Sequence, residues 1–157
     1  MNSLLKWTLL IYFITHIPIT LMVDLQVLFH PYYPKTLQDV FIWYGKTYQD
    51  HVLTDRGFWF QSFIVAELFL QLPFFFVAVY GLLNEKNWIR IPSIFYGVHV
   101  ATTVWPIMAE TVFAGRNSTQ EILILSGFYL PYFFIPLILA VYMGMNPIPF
   151  PSKAKKV

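Results

Sequence analysis

Four long stretches of nearly uninterrupted apolar residues dominate this chain, and each contains a few polar side chains. They run over residues 4–29, 58–83, 91–113 and 122–145. A membrane-spanning α-helix needs about 20 predominantly apolar residues, which each stretch supplies. The pattern therefore predicts an all-α, polytopic membrane protein. We expect a single four-helix transmembrane domain over residues 1–157.

The connection between the first two stretches, residues 30–57, has a different pattern. Apolar residues recur there at helical spacing, at Leu37, Val40, Phe41, Tyr44 and Tyr48. This spacing predicts a short amphipathic helix over about residues 36–49. Such a helix lies either in the membrane interface or against the mouth of the bundle. We favour the mouth, because the same connection carries charged residues, including Asp50.

Proline interrupts every predicted span. A proline within a helix removes one backbone hydrogen bond and tends to kink the helix. Kinks in all four helices predict splayed helices around a hydrophobic cavity, although ordinary packing variation is the alternative interpretation. The prolines concerned are Pro18, Pro73, Pro106, Pro131 and Pro136.

Composition supports the membrane assignment and excludes several functions. Only 11% of the residues are charged, against about 25% in soluble domains. The absence of cysteine excludes disulfides and thiolate chemistry. The small net charge of +2 gives no nucleic-acid footprint. Nucleotide-binding, serine-hydrolase and zinc-protease motifs are missing, so we expect no cofactor.

Charges and short motifs predict the topology. The first apolar stretch has no small-residue cleavage site after it, so we expect it to be retained as a helix. Placing both termini in the cytosol puts six of the ten Lys and Arg residues there. The sequon at Asn117 is then lumenal, a glycosylation site in principle. The C-terminal lysines, at positions 153, 155 and 156, resemble a dilysine endoplasmic reticulum retrieval signal or a basic tail at an anionic leaflet.

Two acids are the strongest candidates for chemistry. Glu67 lies in the middle of the longest apolar run, where a charged side chain costs about 2.5–3.5 kcal/mol on insertion scales. Asp24 lies about 7 Å, and Glu67 about 15 Å, from the same side of the membrane in straight helices. Kinks and tilt would allow the two carboxyls to meet and share one proton. The alternatives are a solvated acid at the boundary for Asp24 and a structural hydrogen bond for Glu67.

The remaining polar positions have both structural and ligand-binding interpretations. Gln71 lies one turn beyond Glu67 on the same face. Thr103 either faces a cavity or bonds its own helix. Tyr129 and Tyr132 share a face, in a pocket or in the bundle core. We interpret His16 and His99 as structural polar groups and expect no metal site, because neither has a clustered partner along its helix.

Several segments resemble one known family. They are IYFITHIPITLMVDLQ at 11–26, WYGKTYQD at 43–50, WFQSFIVAELFLQLPFF at 59–75, WIRIP at 88–92, VHVATTVWPI at 98–107 and YLPYFFIPLIL at 129–139. Together they resemble the sigma-2 receptor branch of the EXPERA-domain family, which also includes the emopamil-binding sterol isomerase. The resemblance covers nearly the whole chain in the same order.

This resemblance implies four transmembrane helices around a hydrophobic cavity, in the endoplasmic reticulum membrane, in a homodimer. It implies that Asp24 and Glu67 hold the amine of cationic amphiphilic ligands and that Asp50 is structural. Gln71, Thr103 and Tyr132 match cavity-lining positions. It further implies sterol or other lipid binding, a role in cholesterol homeostasis or lipid transport, and sterol-transport proteins as partners.

Three functions remain as hypotheses from the sequence. The first is a non-enzymatic protein that binds sterols or other lipids. The second is a sterol double-bond isomerase, in which Asp24 and Glu67 act as acid and base. The third is a membrane assembly or trafficking adaptor whose acids are structural.

Overall fold

A computed structural model describes residues 1–151, and within them the chain is helical, as predicted. The three C-terminal lysines of the predicted retrieval signal lie outside the described residues. The α-helices are α1 (Ser3–Ile19), α2 (Gln26–Phe29), α3 (Lys35–Tyr48), α4 (His51–Asp55), α5 (Phe58–Ala66), α6 (Leu72–Leu83), α7 (Arg90–Phe113) and α8 (Thr119–Met145).

Three helical segments are long and apolar enough to cross a membrane: Ser3–Tyr32, Phe58–Leu83 and Thr119–Met145. Large apolar side chains point outward along them and along α7. Phe69, Phe95 and Trp105 are 70%, 73% and 62% exposed. So much apolar surface fits lipid rather than water. Helix α7 has 24 residues, about 36 Å, but it is more polar, so its crossing of the membrane stays a prediction.

Two π-helical turns widen the helices on which the candidate acids lie. One runs over Thr20–Asp24, between α1 and α2, and the other over Glu67–Gln71, between α5 and α6. In each, a backbone N–H bonds a carbonyl five residues earlier. Such turns occur frequently at functional sites. They make the first and second apolar stretches irregular near the candidate acids.

Proline accompanies both of these turns. Pro18 lies two residues before the first turn, and Pro73 lies just after the second. Neither residue has a backbone N–H to continue the regular α-helical bonding pattern, so local rearrangement is less costly there. The result is that the backbone distortions lie at the level of the candidate acids.

The bundle is built from two close helix pairs. Helix α1 packs along α6, and α7 packs along α8. The second pair approaches closely at Gly97, where a Cβ atom would lie 2.2 Å from the carbonyl oxygen of Pro136. Aromatic rings join the pairs: Phe74 of α6 stacks on Tyr96 of α7 at 4.7 Å between ring centroids. The pairs diverge elsewhere and leave space between them.

Polar contacts close the bundle end that carries the N-terminus. Lys6 forms an ion pair with Glu85 at 2.6 Å. Arg90 donates to the carbonyl oxygens of Met143 and Gly144, at 2.8 and 3.2 Å. These carbonyls belong to the last turn of α8, where backbone carbonyls have no N–H partner within the helix. This end is therefore fixed independently of the candidate acids.

The predicted amphipathic segment forms α3 and packs against the opposite end of the bundle. Phe41 and Gly45 of α3 are buried, and the guanidinium of Arg56 lies 5.1 Å from the Phe41 ring centroid. Arg116, in the connection between α7 and α8, contacts Asp55 and His51 of α4. The hydrogen bond from Arg116 lowers the pKa of Asp55. These contacts hold the loop over the bundle mouth.

Candidate functional site

A cavity of about 720 Å³ lies between the diverging helices. Its volume is within the range of small-molecule sites in proteins, and its lining is mostly apolar, as such sites usually are. Side chains from α1, α3, α4, α5, α7, α8 and both π-helical turns contribute to the lining. The polar side chains of the lining include Asp24, Glu67, Gln71, Thr103 and Asp50.

Asp24 and Glu67 lie together in this cavity. One carboxyl oxygen of each lies within 4.8 Å of the other, close enough for the two groups to influence each other's ionisation. Glu67 is only 8% exposed. The separation in depth estimated from straight helices is thus closed. Asp24 ends one π-helical turn and Glu67 begins the other, so both helices are irregular where the acids meet.

Two side chains of the first span complete the surroundings of Glu67. Thr20 is fully buried, and its hydroxyl donates to Glu67 Oε1 at 2.5 Å. His16 lies one turn earlier, with Nε2 at 4.0 Å from the same oxygen. The His16 ring stacks on Phe75 at 4.6 Å. Thr20 was not among our predicted site residues, although its position one turn before Asp24 was a usable signal.

The other predicted cavity residues also line the cavity. Gln71 is buried and ends the π-helical turn that Glu67 begins. Thr103 lines the wall while its hydroxyl donates to the carbonyl of Val100 at 3.1 Å, so both of its sequence interpretations apply. Tyr132 lies against His16, with 4.8 Å between ring centroids. It forms an aromatic wall beside the acids.

Asp50 is the centre of a separate polar cluster at the bundle mouth. It is 1% exposed. Its carboxylate caps α4 by accepting from the Leu53 N–H at 3.1 Å. It also accepts from the hydroxyls of Tyr129 and Tyr44, at 2.6 and 3.4 Å. Burial raises the pKa of Asp50, and the hydrogen bond from Tyr129 partly opposes this effect.

Two other predicted polar residues lie away from the acids. His99 is not part of the cavity lining, and its buried Nε2 has no hydrogen-bond partner among the described residues. Asn117 lies in the connection between α7 and α8. Its side-chain amide nitrogen donates to the carbonyl of Gln49 at 2.9 Å. That nitrogen is the atom to which an N-linked glycan attaches.

The arrangement favours a cation. Asp24 and Glu67 lie side by side in a largely apolar cavity, and no lysine or arginine lines it among residues 1–151. In a low dielectric, two adjacent carboxylates cannot both ionise without compensation. A shared proton, a ligand ammonium group or a metal ion would each supply it. The apolar walls would at the same time accommodate the hydrophobic body of a ligand.

Comparison with known proteins identifies the same family that the sequence segments resemble. The family profile EXPERA (EXPanded EBP superfamily) matches residues 36–143. The chain is 41% identical over 154 residues to sigma intracellular receptor 2 of Xenopus tropicalis, covering 92% of this chain and 90% of that protein. It is 39% identical over 165 residues to the Homo sapiens protein of that name, covering 96% and 94%.

A more distant relative has a different name. The chain is 33% identical over 138 residues to efficient mitochondria targeting-associated protein 19 of Schizosaccharomyces pombe, covering 85% of this chain and 71% of that protein. The similarity therefore extends over most of this chain in relatives that carry different names.

Proposed function

We propose a function from the premise that this chain belongs to the EXPERA family of membrane proteins. The protein binds sterols or other lipids, and cationic amphiphilic molecules, inside the membrane. Binding takes place in the cavity between the two helix pairs. The acids hold a polar or cationic group of the ligand, and the apolar walls hold its hydrophobic body.

One observation carries this proposal: Asp24 and Glu67 form an uncompensated pair in an apolar cavity of ligand size. A ligand ammonium would compensate the charge of the pair, and charge-assisted hydrogen bonds are strong among apolar walls, where the local dielectric is low. A neutral sterol would instead hydrogen-bond to the pair through its hydroxyl group. The names of the receptor relatives are consistent with a ligand-binding function.

The test is the affinity of the purified protein for a radiolabelled cationic amphiphile. Asp24→Asn and Glu67→Gln keep the side-chain shape but remove the charge. Each is expected to reduce affinity at least about 30-fold, because losing a buried charged hydrogen-bonding partner costs about 2–5 kcal/mol. Matched controls are Asp39→Asn and Glu110→Gln, which change exposed acids outside the cavity and should leave affinity unchanged. Wild-type affinity in both acid variants would refute the proposal.

A second function has its own supporting observation. Asp24 and Glu67 lie close together beside a cavity of about 720 Å³, and two adjacent carboxyls can supply the acid and the base that a double-bond isomerase needs. One carboxyl would protonate the alkene, and the other group would take a proton from the resulting cation. Conversion of a Δ8 sterol to its Δ7 isomer by the purified protein would replace the binding-only assignment with this one.

Cellular context belongs to the same proposal. We place the protein in the endoplasmic reticulum membrane, with both termini cytosolic, as a homodimer with a role in sterol homeostasis or lipid transport. Sterol-transport proteins are the expected partners. The name of the fission yeast relative refers to mitochondrial targeting, which supports the alternative of a membrane assembly or trafficking adaptor.

A further inference from the structure

Three potential metal-ligand side chains converge in the cavity. His16, Asp24 and Glu67 each offer one ligand atom, and these atoms lie within 4.8 Å of one another. Spacing along the chain gave no reason to expect this, because Glu67 belongs to a different helix. The fold brings it beside two residues that already share one face of the first span.

His16 is the member that the rest of the structure does not explain. It is 6% exposed, and its Nδ1 has no hydrogen-bond partner within residues 1–151. Its Nε2 faces Glu67 Oε1 at 4.0 Å, which is too far for a hydrogen bond. A buried polar group without a partner is costly. No described residue hydrogen-bonds Nε2 either, so a cation bound between Nε2 and Glu67 would give the nitrogen that faces the acids a partner.

The charge of the cluster matches a divalent cation. Two carboxylates and a neutral imidazole carry a charge of −2, and no other basic side chain pairs with these acids within the described residues. One imidazole nitrogen and two carboxylate oxygens form a ligand set that suits zinc. Calcium prefers six to eight oxygen ligands, which the three side chains do not supply.

We infer that His16, Asp24 and Glu67 form a binding site for Zn²⁺ or a chemically similar divalent cation at the acidic end of the cavity. A four-coordinate zinc ion at about 2.0–2.1 Å from its ligands needs them about 3.4 Å apart. Closing from the present separations takes about 1 Å of side-chain movement, and the terminal torsions of carboxylates are soft. Thr20, which donates to Glu67, would orient that ligand.

The fourth position of the ion is left to a water molecule or to a polar group of a cavity ligand. The inference stands independently of the proposed ligand function, although both use Asp24 and Glu67. Zinc and a cationic amphiphile would compete for these acids. The two proposals differ at His16, which a metal ion requires and an ammonium group does not.

The test measures metal binding by the full-length protein in detergent after treatment with a chelator. Equilibrium dialysis against ZnCl₂ should give one zinc ion per chain, and Co²⁺ in its place should give the visible absorption of a four-coordinate site. Replacing His16 by phenylalanine preserves the stacked ring but removes the ligand atom. His16→Phe is expected to weaken zinc binding at least about 100-fold, since even indirect partners of metal ligands are worth 10–100-fold.

His99→Phe is the matched control, because it also replaces a poorly partnered histidine in a long helix but lies outside the cavity. It should bind zinc as the wild type does. Glu67→Gln is a second ligand variant in case His16→Phe fails to fold, and it should lose zinc equally. No saturable zinc binding, or equal binding by the wild type and both ligand variants, would overturn the inference. The second result would identify a surface site.

Ligand binding on the same preparations separates the two proposals. Saturating zinc should lower the amphiphile affinity of the wild type but not that of His16→Phe. If amphiphile binds and zinc does not, the metal site is refuted and the ligand function stands. If zinc binds through His16 and amphiphile does not bind, the ligand function fails and the metal site stands.

Discussion

Buried carboxyls occur in two very different surroundings in this protein. Asp50 accepts hydrogen bonds from one backbone N–H and two tyrosine hydroxyls. Asp24 and Glu67 have one threonine hydroxyl, each other, and a histidine beyond hydrogen-bonding distance. The oxygens of Asp50 are thus occupied by hydrogen bonds from within the fold. Asp24 and Glu67 keep unused acceptor positions that face the cavity.

This difference indicates different roles for acids that are all costly to bury. A fully hydrogen-bonded acid stabilises the local structure around it, here the start of α4 and its link to α8. A pair of acids with too few hydrogen-bond partners keeps the unfavourable free energy of its burial until a bound ligand compensates it. Burial alone would not separate the two cases, because Asp50 is even less exposed than Glu67. The number of partners separates them.

The comparison is tested most strongly at Asp50. Asp50→Ala should lower the free energy of unfolding by about 2–3 kcal/mol, because it removes a helix cap and leaves a buried tyrosine hydroxyl without an acceptor. Asp50→Asn keeps one acceptor oxygen, which can still cap α4, while its NH₂ group can donate to a tyrosine hydroxyl that turns to accept. It should therefore cost less, about 1 kcal/mol. Thermal unfolding in detergent measures both. If Asp50→Ala and Asp50→Asn are equally stable, the hydrogen bonds to Asp50 do not stabilise the bundle mouth.

The wild type and the Asp50→Asn variant should also differ in how their stability depends on pH. Burial raises the pKa of Asp50 in the folded state, so the folded protein binds a proton there more readily than the unfolded chain. The wild type should therefore gain stability relative to Asp50→Asn as the pH falls through the raised pKa. It should lose that gain as the pH rises again. A stability difference that does not vary with pH would contradict the raised pKa.

A smaller effect is expected at the tyrosines. Tyr129→Phe removes the 2.6 Å hydrogen bond to Asp50 and should cost about 1–2 kcal/mol of stability. Tyr132, three residues later in α8, is the matched control. It lines the cavity beside His16, so Tyr132→Phe should change stability by less than about 0.5 kcal/mol. Equal stabilities for the two variants would mean that the Asp50 cluster does not matter for folding.

The smallest effect is expected at Thr20. Thr20→Val removes the hydroxyl that donates to Glu67. The carboxyl then has one partner fewer, and both stability and amphiphile affinity should fall slightly, by about 0.5–1 kcal/mol and two- to five-fold. Ligand affinity together with thermal unfolding tests this. A loss as large as that of Glu67→Gln would mean that Thr20 contacts the ligand itself.

Most of the helical architecture could be predicted from the sequence. Apolar runs long enough for a bilayer determine where the long helices lie, because unpaired backbone groups are too costly in lipid. The amphipathic spacing around Phe41 and Tyr44 likewise predicted α3 and its position at the mouth. The π-helical turns could not be predicted. They depend on how α1 and α6 pack, and the prolines indicated only where the backbone yields easily.

The candidate site was predictable in part, and for a specific reason. Glu67 and Asp24 could be identified because an acid in an apolar run is costly wherever it lies. Their contact could only be proposed, since it depends on the relative rotation and depth of two helices. His16 was underestimated for the same reason. Its spacing along one helix said nothing about Glu67 on another.

The sequence by itself thus determined that this is a helical membrane protein of the EXPERA family and which acids are costly to bury. The tertiary structure decided which acids are satisfied and which remain available. Hydrophobicity and burial cost belong to individual residues and are readable along the chain. Hydrogen-bond partnership depends on distances of a few ångströms between separate helices, and only their packing sets those distances.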